Sequence, residues 1–151
     1  RVVSRIGDDT AYRDNSAKML AALMYLQKGI PFILNGEEIG MKNIFLDDIN
    51  DFHSPEAQTF YKNALALGYS EEAVLYNLRE SSKDASRGAM QWGQSAFAGF
   101  STVAPWSGVN VEAAYNVAAE EADSESILHF YRKVLYVRET DLFIGGDYGL
   151  W

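Results

Sequence analysis

Between residues 15 and 28, hydrophobic residues fall on most sides of the helix that the pattern predicts. We therefore expect this helix to be covered by protein on most sides. Gly29 supplies a stop for this helix. Residues 30–34 form a short apolar run that ends before Gly36, and its length and β-branched content predict a buried strand. A helix followed by a tight turn and an apolar strand is typical of half of a repeating βα unit.

The pattern predicts two more helices within residues 54–81. Ser54-Pro55 has the residues that cap a helix and occupy its first position, and Gly68 can end that helix. Ser70 can cap the second helix. The apolar side of the second helix carries Val74, Leu75 and Leu78.

Residues 81–108 show no sustained period and are rich in glycine, so we interpret them as an ordered loop. We expect the large aromatic side chains of the loop to anchor it by packing inside the protein: Trp92, Phe100 and Trp106. The alternative for Trp92 and Trp106 is that their rings stack on the faces of a sugar.

The end of the chain predicts a short helix around residues 112–119, an amphipathic helix that follows Ser124, and the beginning of a strand at residues 143–151. One complete strand among several helices would leave both of its edges unpaired. The pattern alone therefore indicates a piece of a larger α/β domain.

Composition narrows the possible partners. The 151 residues include 13 Lys and Arg against 21 Asp and Glu, a net charge of −8. Such a chain repels phosphate backbones and anionic lipids, so we expect neither nucleic acid nor a membrane as partner. The sequence has no cysteine, which excludes disulfides and thiolate metal sites. The chain begins with Arg1 instead of Met, so we expect it to be part of a longer protein, with the cytoplasm as the default location.

The loop run at residues 83–92 holds the most informative chemistry. It combines two cations, an amide and an indole, namely Lys83, Arg87, Gln91 and Trp92. Charged hydrogen-bond donors next to an aromatic face can bind a sugar, because the donors hold hydroxyl groups and the ring covers the apolar side of the pyranose.

Five short blocks, which together span nearly the whole chain, carry a family likeness: Arg1-Val2-Val3-Ser4-Arg5 with Gly7-Asp8-Asp9, Ala17-Lys18-Met19-Leu20, Gly36-Glu37-Glu38-Ile39-Gly40-Met41, Met90-Gln91-Trp92 with Ala98-Gly99-Phe100 and Pro105-Trp106, and Asn110-Val111-Glu112-Ala113-Ala114. In this order they resemble the oligo-1,6-glucosidase and dextran glucosidase branch of the α-amylase superfamily.

The resemblance implies an α/β fold class, a partial (β/α)8 TIM barrel that runs from the end of strand 7 to helix 8 and is mostly helical in this part. Residues 1–141 would be the C-terminal part of the catalytic barrel, including the long insertion 37–122 after strand 8. Residues 142–151 would begin a C-terminal β-domain. The seventh helix, eighth strand and eighth helix would be residues 15–28, 31–35 and 124–139.

The chemistry implied by the resemblance is retaining hydrolysis of an α-1,6-glucosidic bond at the non-reducing end of an oligosaccharide or dextran. Two carboxyl groups about 5 Å apart act as nucleophile and as acid and base. In the family these groups, and a third stabilising aspartate, precede the position of Arg1. We therefore expect no catalytic residue in this chain, no activity from the chain alone, no cofactor, and two partners: the oligosaccharide and the remainder of the barrel.

Three residues match substrate-binding positions of the family. Lys83 stands where the family has an arginine that reaches the non-reducing glucose, and lysine keeps the charge but loses the planar fork. Arg87 matches a second family arginine, and Glu56 a glutamate that approaches the next glucose. Each residue also has a structural alternative. Lys83 could be a solvated surface lysine, and Arg87 could form an ion pair that ties the loop down, that is, fixes its position. Glu56 could be a first-turn carboxylate that interacts favourably with the helix dipole.

Several other positions have competing interpretations. Gly88-Ala89 replaces the Thr-Pro of the family, which predicts a looser backbone. Glu37 and Glu38 could hold sugar hydroxyls but more often hold neighbouring loops. We expect no metal site, because the two histidines lie far apart and the acidic pairs lack calcium-loop spacing: His53, His129, Asp8-Asp9 and Asp47-Asp48.

Two groups of alternatives remain at this point. Trehalose-6-phosphate hydrolase and sucrose isomerase share the fold and differ from the glucosidases mainly in loops that precede Arg1. The ectodomains of some amino-acid transporter heavy subunits share the fold without the catalytic acids, so they are binding proteins and not enzymes. An intact His-Asp-x-Pro sequence before Arg1 would favour an enzyme.

Overall fold

The computed structural model describes residues 1–140 and, after them, residues 143, 145, 147 and 149. Within these residues the chain forms seven α-helices joined by loops and short 3-10 turns, and it forms no strand. The helices are α1 (Val2–Ile6), α2 (Arg13–Tyr25), α3 (Pro55–Ala66), α4 (Glu71–Ser81), α5 (Lys83–Ser86), α6 (Val117–Ala122) and α7 (Ile127–Arg138).

The four longer helices predicted from the sequence are confirmed as α2, α3, α4 and α7. Ser70 caps α4 as predicted, because its hydroxyl accepts a hydrogen bond from the backbone of Ala73. The cap of α7 is Ser126 and not Ser124, since the Ser126 hydroxyl accepts from His129 N.

The short helix predicted at residues 112–119 lies later in the chain, at α6. Asn116 explains the shift: its side-chain oxygen accepts from Ala119 N at 3.0 Å and so caps a helix that begins at Val117. The amide group of the same side chain donates to the backbone oxygens of Glu112 and Ala113. These bonds hold the preceding residues in a turn.

The strand predicted at residues 30–34 is not formed among the described residues, where Ile30 is 80% exposed and Phe32 is 85% exposed. A strand requires a second strand whose backbone completes its hydrogen bonds, and the described residues supply none. The strand predicted at residues 143–151, and the β-domain predicted at residues 142–151, lie mostly outside the described residues.

Three apolar clusters hold the helices together. The first joins α3 and α4 to the loop before them, through Ile44, Leu46, Phe52, Ala57, Ala64, Val74, Leu75 and Leu78. The second joins α1, α2 and α7, through Val3, Ala17, Ala21, Tyr25, Ile127, Tyr131 and Val134. The smallest consists of Ile39, Met41 and Met90.

A buried cation connects α2 to the loop region. Arg13, the first residue of α2, is buried, and its two terminal nitrogens donate to both oxygens of Glu112 at 2.7 and 3.0 Å. Its Nε donates to the backbone oxygen of Gly40 at 2.8 Å, and its guanidinium lies 3.6 Å from the centre of the Tyr115 ring. A buried charge with this many partners fixes the segments that supply them.

The same interactions set the ionisation of Glu112. Burial works against the charged form, but the hydrogen bonds and the positive charge of Arg13 outweigh it, with smaller contributions from Gln91 and Lys42. The pKa of Glu112 is therefore held below its ordinary value. A carboxyl group with a lowered pKa stabilises the fold above its unfolded-state pKa, and the contribution is lost as the pH falls through the folded-state pKa.

Gly40 is required by its backbone and by its surroundings. Its φ is +66°, and a Cβ at this position would overlap Cδ1 of Ile127, which is fully buried on α7. Gly68 offers a matched comparison, since its φ is +88° but nothing lies within 4 Å of the position of a Cβ.

We predict that Gly40→Ala lowers the free energy of unfolding by about 2–4 kcal/mol, because backbone strain and overpacking add. Gly68→Ala should cost only about 1–2 kcal/mol, from backbone strain alone. Chemical denaturation of the two variants measures the difference. Equal costs would contradict the close packing of Gly40 against α7.

We predict that Glu112→Gln lowers the free energy of unfolding at pH 7 by about 2–4 kcal/mol, because it leaves the buried charge of Arg13 without its partner. The difference from the unmodified protein should shrink as the pH falls below about 4.3, where Glu112 becomes protonated in the unfolded chain and then in the folded protein. Denaturation at several pH values measures it. Glu125→Gln, at an exposed carboxylate, is the control; a pH-independent difference at position 112 would contradict the ion pair.

Candidate functional site

The predicted binding residues lie where α3 and α5 begin. Ser82 ends α4 and also caps α5, because its hydroxyl accepts from Ala85 N at 3.1 Å. The chain therefore turns sharply between the two helices, and Lys83 is the first residue of α5. Glu56 is the second residue of α3.

Asp84 joins the beginnings of these two helices. One of its oxygens accepts from His53 N at 3.2 Å. The other accepts from Ser54 N at 3.2 Å and from the Ser54 hydroxyl at 2.5 Å. Ser54 precedes α3 as predicted, but its hydroxyl is bound to Asp84 and does not cap the helix. One carboxylate thus fixes the position of α3 relative to α5.

Lys83 and Glu56 form an ion pair at this junction. Lys83 Nζ lies 2.7 Å from Glu56 Oε1, and the two side chains are 57% and 67% exposed. An ion pair with this exposure contributes little to stability, because solvent screens it. The hydrogen bond from Lys83, a backbone hydrogen bond and the charges of Lys83 and Arg87 lower the pKa of Glu56, so it is a carboxylate at neutral pH.

Arg87 lies in the same place as the pair. Its charge is one of those that lower the pKa of Glu56, and its side chain is exposed at the end of α5. Within the part of the chain that the structure describes, Arg87 forms no ion pair. The structural alternative for Arg87, an ion pair that ties the loop down, therefore finds no support among these residues.

A pocket of about 210 Å³ opens next to the ion pair. Its wall has hydroxyl groups, the two charges and an apolar surface, from Ser54, Glu56, Ala57, Phe60, Leu78, Ser81, Ser82 and Lys83. A groove of about 390 Å³ between α3 and α4 is bordered by apolar and amide side chains without a charged group. The smaller pocket thus has the mixture of groups that suits a sugar.

The Met90-Gln91-Trp92 motif serves mainly to hold the loop. Gln91 is fully buried, and its amide group donates to the backbone oxygen of Tyr115 at 2.8 Å and to Glu112 Oε2 at 3.2 Å. The backbone oxygen of Gln91 accepts from Val117 N at 3.0 Å. The motif is therefore tied to the same carboxylate that Arg13 holds.

The prediction that the large aromatic side chains anchor the loop is wrong. Trp92 and Phe100 are half exposed, and Trp106 is 79% exposed. The loop is closed instead by Ala98, which is fully buried and whose backbone oxygen accepts from Trp92 N and Gly93 N. Phe97 and Ala98 both have positive φ angles, 52° and 54°, a strained conformation that the surrounding contacts must maintain.

Gly88-Ala89, where the chain departs from the family, is held by two contacts. Ala89 N donates to the backbone oxygen of Gly108 at 2.9 Å, a bond that a proline could not make. A Cβ at Gly88 would overlap Cγ2 of Ile44, so the small residue lets the loop approach the first apolar cluster. The replacement thus permits two contacts that Thr-Pro would not, and the looser backbone stays a prediction.

Glu37 and Glu38 hold neighbouring backbone and side chains. Glu37 accepts from the hydroxyl of Tyr25 at 2.6 Å, and Glu38 accepts from Gly36 N at 2.8 Å. Burial and the hydrogen bond to Glu37 raise the pKa of Tyr25. These contacts agree with the structural interpretation of the acidic pair.

Asp8 and Asp48, from the two acidic pairs, are engaged locally. Asp8 accepts from the backbone and the hydroxyl of Thr10, and Asp48 accepts from Asn50. Among the residues that the structure describes, no three His, Asp or Glu side chains come together as a metal site would require. Over the same residues, no helix has both the length and the apolar composition that crossing a bilayer requires.

Sequence reasoning missed Asp84. The residue stands beside Lys83 in the sequence, but its partners are 30 and 31 positions away, and no local pattern indicates that contact. Gln91 was noticed as a possible sugar donor, whereas the structure places it in the interior.

Comparison with known proteins agrees with these features. Residues 1–146 match the alpha-amylase catalytic domain family. The probable oligo-1,6-glucosidase 3 of Bacillus subtilis (strain 168) is 40% identical over 152 residues, which cover 99% of this chain and 27% of that protein. The chain thus spans about a quarter of the length of this relative.

Solved structures also match nearly all of this chain with only a part of their own length. The trehalose-6-phosphate hydrolase of Bacillus licheniformis superposes with a TM-score of 0.90 at 37% identity, over all of this chain and 28% of that one. The trehalulose synthase of Pseudomonas mesoacidophila MX-45 gives a TM-score of 0.88 at 37% identity, over 99% of this chain and 28% of that one. The structural neighbours are (β/α)8 barrel enzymes, and this chain corresponds to one part of such a barrel. Because the family match covers nearly its whole length, the chain belongs to the alpha-amylase catalytic domain family.

Proposed function

We propose that the full protein is a retaining glycoside hydrolase that cleaves α-1,6-glucosidic bonds at the non-reducing end of isomalto-oligosaccharides or dextran. This chain supplies substrate-binding loops, and the remainder of the barrel supplies the reacting carboxyl groups. The observation that carries the proposal is the exposed Lys83–Glu56 pair, 2.7 Å apart and positioned by Asp84. The cytoplasmic location and the absence of nucleic-acid and membrane partners stay predictions.

The proposed place of the chain in the barrel is supported by its packing. We assign residues 1–141 to the barrel, with 37–122 as the insertion after strand 8, and residues 142–151 to a following β-domain. In this arrangement α2 and α7 are the seventh and eighth helices, which are neighbours in a barrel. They do pack together through the second apolar cluster. The exposed apolar residues 30–34 would pair with strands of the remainder.

The ion pair can bind two consecutive glucose units. Lys83 has three donors on a flexible stem and would donate to a hydroxyl of the non-reducing glucose. Glu56 is ionised and would accept from a hydroxyl of the next glucose. Because solvent already competes for both groups, exchanging their mutual contact for contacts to a sugar costs little. Hydrolysis with retention needs two further carboxyl groups about 5 Å apart, which we assign to the remainder of the barrel.

A second candidate is hydrolysis of trehalose 6-phosphate, which the Bacillus licheniformis enzyme of that name suggests by its structural similarity. Two cations, Lys83 and Arg87, lie on one short helix and its end, where they could pair with a phosphate. Glu56 opposes this function, because its carboxylate lies beside Lys83 and would repel a phosphate there. The geometry therefore favours a neutral sugar.

The experiment offers the purified full protein isomaltotriose, trehalose 6-phosphate and sucrose, and identifies the products. We expect glucose from isomaltotriose, released with retained anomeric configuration in a proton NMR time course. Faster turnover of trehalose 6-phosphate would support the second candidate. Binding of sugar without any turnover would indicate a non-catalytic protein of the transporter-subunit type and would contradict the proposal.

We predict that Lys83→Ala in the full protein lowers kcat/KM for isomaltose about 5- to 150-fold, as expected for the loss of one charged hydrogen bond of about 1–3 kcal/mol. Lys83→Arg should restore most of the activity, because the family places arginine at this position. Lys62→Ala, at an exposed lysine on α3, is the matched control. An unchanged kcat/KM for Lys83→Ala would mean that Lys83 is only a solvated surface residue.

A further inference from the structure

Trp106 is the most exposed tryptophan among the described residues, at 79%. Tryptophan is usually well covered in folded proteins, so an exposed indole leaves an apolar face that the remainder of the barrel or a ligand can cover, and its neighbours decide between the two. Trp106 is far from the charged pair in sequence, yet the contacts of the loop bring it close to that pair.

The backbone on both sides of Trp106 is fixed. The residue lies in a tight turn in which Gly108 N donates to the backbone oxygen of Pro105 at 3.1 Å. The backbone oxygen of Gly108 in turn accepts from Ala89 N at 2.9 Å. The turn at Trp106 is therefore hydrogen-bonded to the backbone of Ala89, and the indole projects from an ordered segment. A ligand that binds to it loses little by ordering the protein.

His53 supports the indole from one side. The two rings have their centres 5.2 Å apart at an angle of 45°, and His53 Nε2 lies 3.2 Å from the backbone oxygen of Trp106. Together the two rings make one surface, which we call the aromatic platform. The imidazole itself is exposed, so the platform has a polar edge next to its apolar face.

The platform and the ion pair share one support. The backbone N–H of His53 and the backbone and hydroxyl of Ser54 are bound to the carboxylate of Asp84. Glu56 follows two positions after Ser54, and Lys83 immediately precedes Asp84. The aromatic platform and the charged pair therefore border the same junction and can contact one extended ligand.

An aromatic face beside a carboxylate and an ammonium fits a carbohydrate. One side of a pyranose ring presents C–H groups, which pack favourably on the electron-rich face of an indole, and its edge presents hydroxyl groups for charged partners. The acidic balance of the chain, −8, works against a polyanion at this surface.

We propose that Trp106 and His53 form an outer subsite, in which a third glucosyl unit stacks on the aromatic platform beyond the two units held by Lys83 and Glu56. This inference rests on the proposed function and deepens it. An outer subsite favours chains of three or more units over a disaccharide, because only the longer substrate reaches the platform.

The test uses the full protein and compares isomaltose with isomaltotriose. Trp106→Ala should lower kcat/KM for isomaltotriose roughly 5- to 20-fold, as expected for one lost aromatic stacking contact, and should change kcat/KM for isomaltose less than about twofold. Trp106→Phe keeps an aromatic face and should retain most of the activity on isomaltotriose. His53→Ala should show the same dependence on chain length to a smaller degree.

Tyr136→Ala is the matched control, since it removes an exposed aromatic ring from α7 and should leave both substrates unaffected. Equal effects of Trp106→Ala on the two substrates, or no effect on either, would overturn the outer subsite while the α-1,6-glucosidase activity stands.

Direct binding separates the subsite from the catalytic proposal. Calorimetric titration with isomaltotriose should show a Kd that Trp106→Ala raises roughly 5- to 20-fold, whether or not the sugar is hydrolysed. A protein that binds isomaltotriose through Trp106 without turnover would retain the subsite and lose the proposed activity. A protein that neither binds nor cleaves the sugar would overturn both.

Discussion

The guanidinium of Arg13 is the interaction on which the position of the binding loop depends. A charge this well buried is tolerated only when its donors are satisfied, and its partners come from two distant segments: the carbonyl of Gly40 in one, and both oxygens of Glu112 with the ring of Tyr115 in the other. Glu112 extends the set by accepting from Gln91 of the loop. One cation at the beginning of α2 therefore fixes the turn at Gly40 and the base of the loop together.

The dependence on a distant partner explains which parts of the fold could be predicted. The helices α2, α3, α4 and α7 follow from apolar periodicity, which acts within a few residues, and a serine cap adds to it in α4 and α7. The helix predicted at 112–119 is displaced because Asn116 caps a helix that begins at Val117, while Glu112 is bound to Arg13, 99 positions away. Residues 30–34 carry a true apolar signal, but a strand is a property of two segments, and one segment cannot provide it.

In the candidate site, too, the sequence indicates individual residues but not the contacts between them. Resemblance drew attention to Lys83, Arg87 and Glu56 one at a time, and the structure places their charges together. Their contact depends on Asp84 and on the path of the loop between distant helices, which spacing does not encode. The expectation that the aromatic residues anchor the loop fails for a related reason. Their size suggested anchors, but small residues such as Ala98 fill the narrow interior of the loop, and the large rings remain outside.

The ion pairs Arg13–Glu112 and Lys83–Glu56 are alike in chemistry, but they have opposite consequences because they differ in burial. Arg13 is 2% exposed and its partner Glu112 is 20% exposed, so neither can exchange the other for a solvent or ligand group without a large desolvation cost. Lys83 and Glu56 are both more than half exposed, and water competes for them continuously. The buried pair is suited to holding the loop and the exposed pair to binding what approaches it. Asp84 lies between these extremes, because it is partly buried and its carboxylate is bound to the backbone of Ser54. A loop that recognises a flexible sugar needs this gradient, because rigid support keeps its exposed groups in place until the ligand arrives.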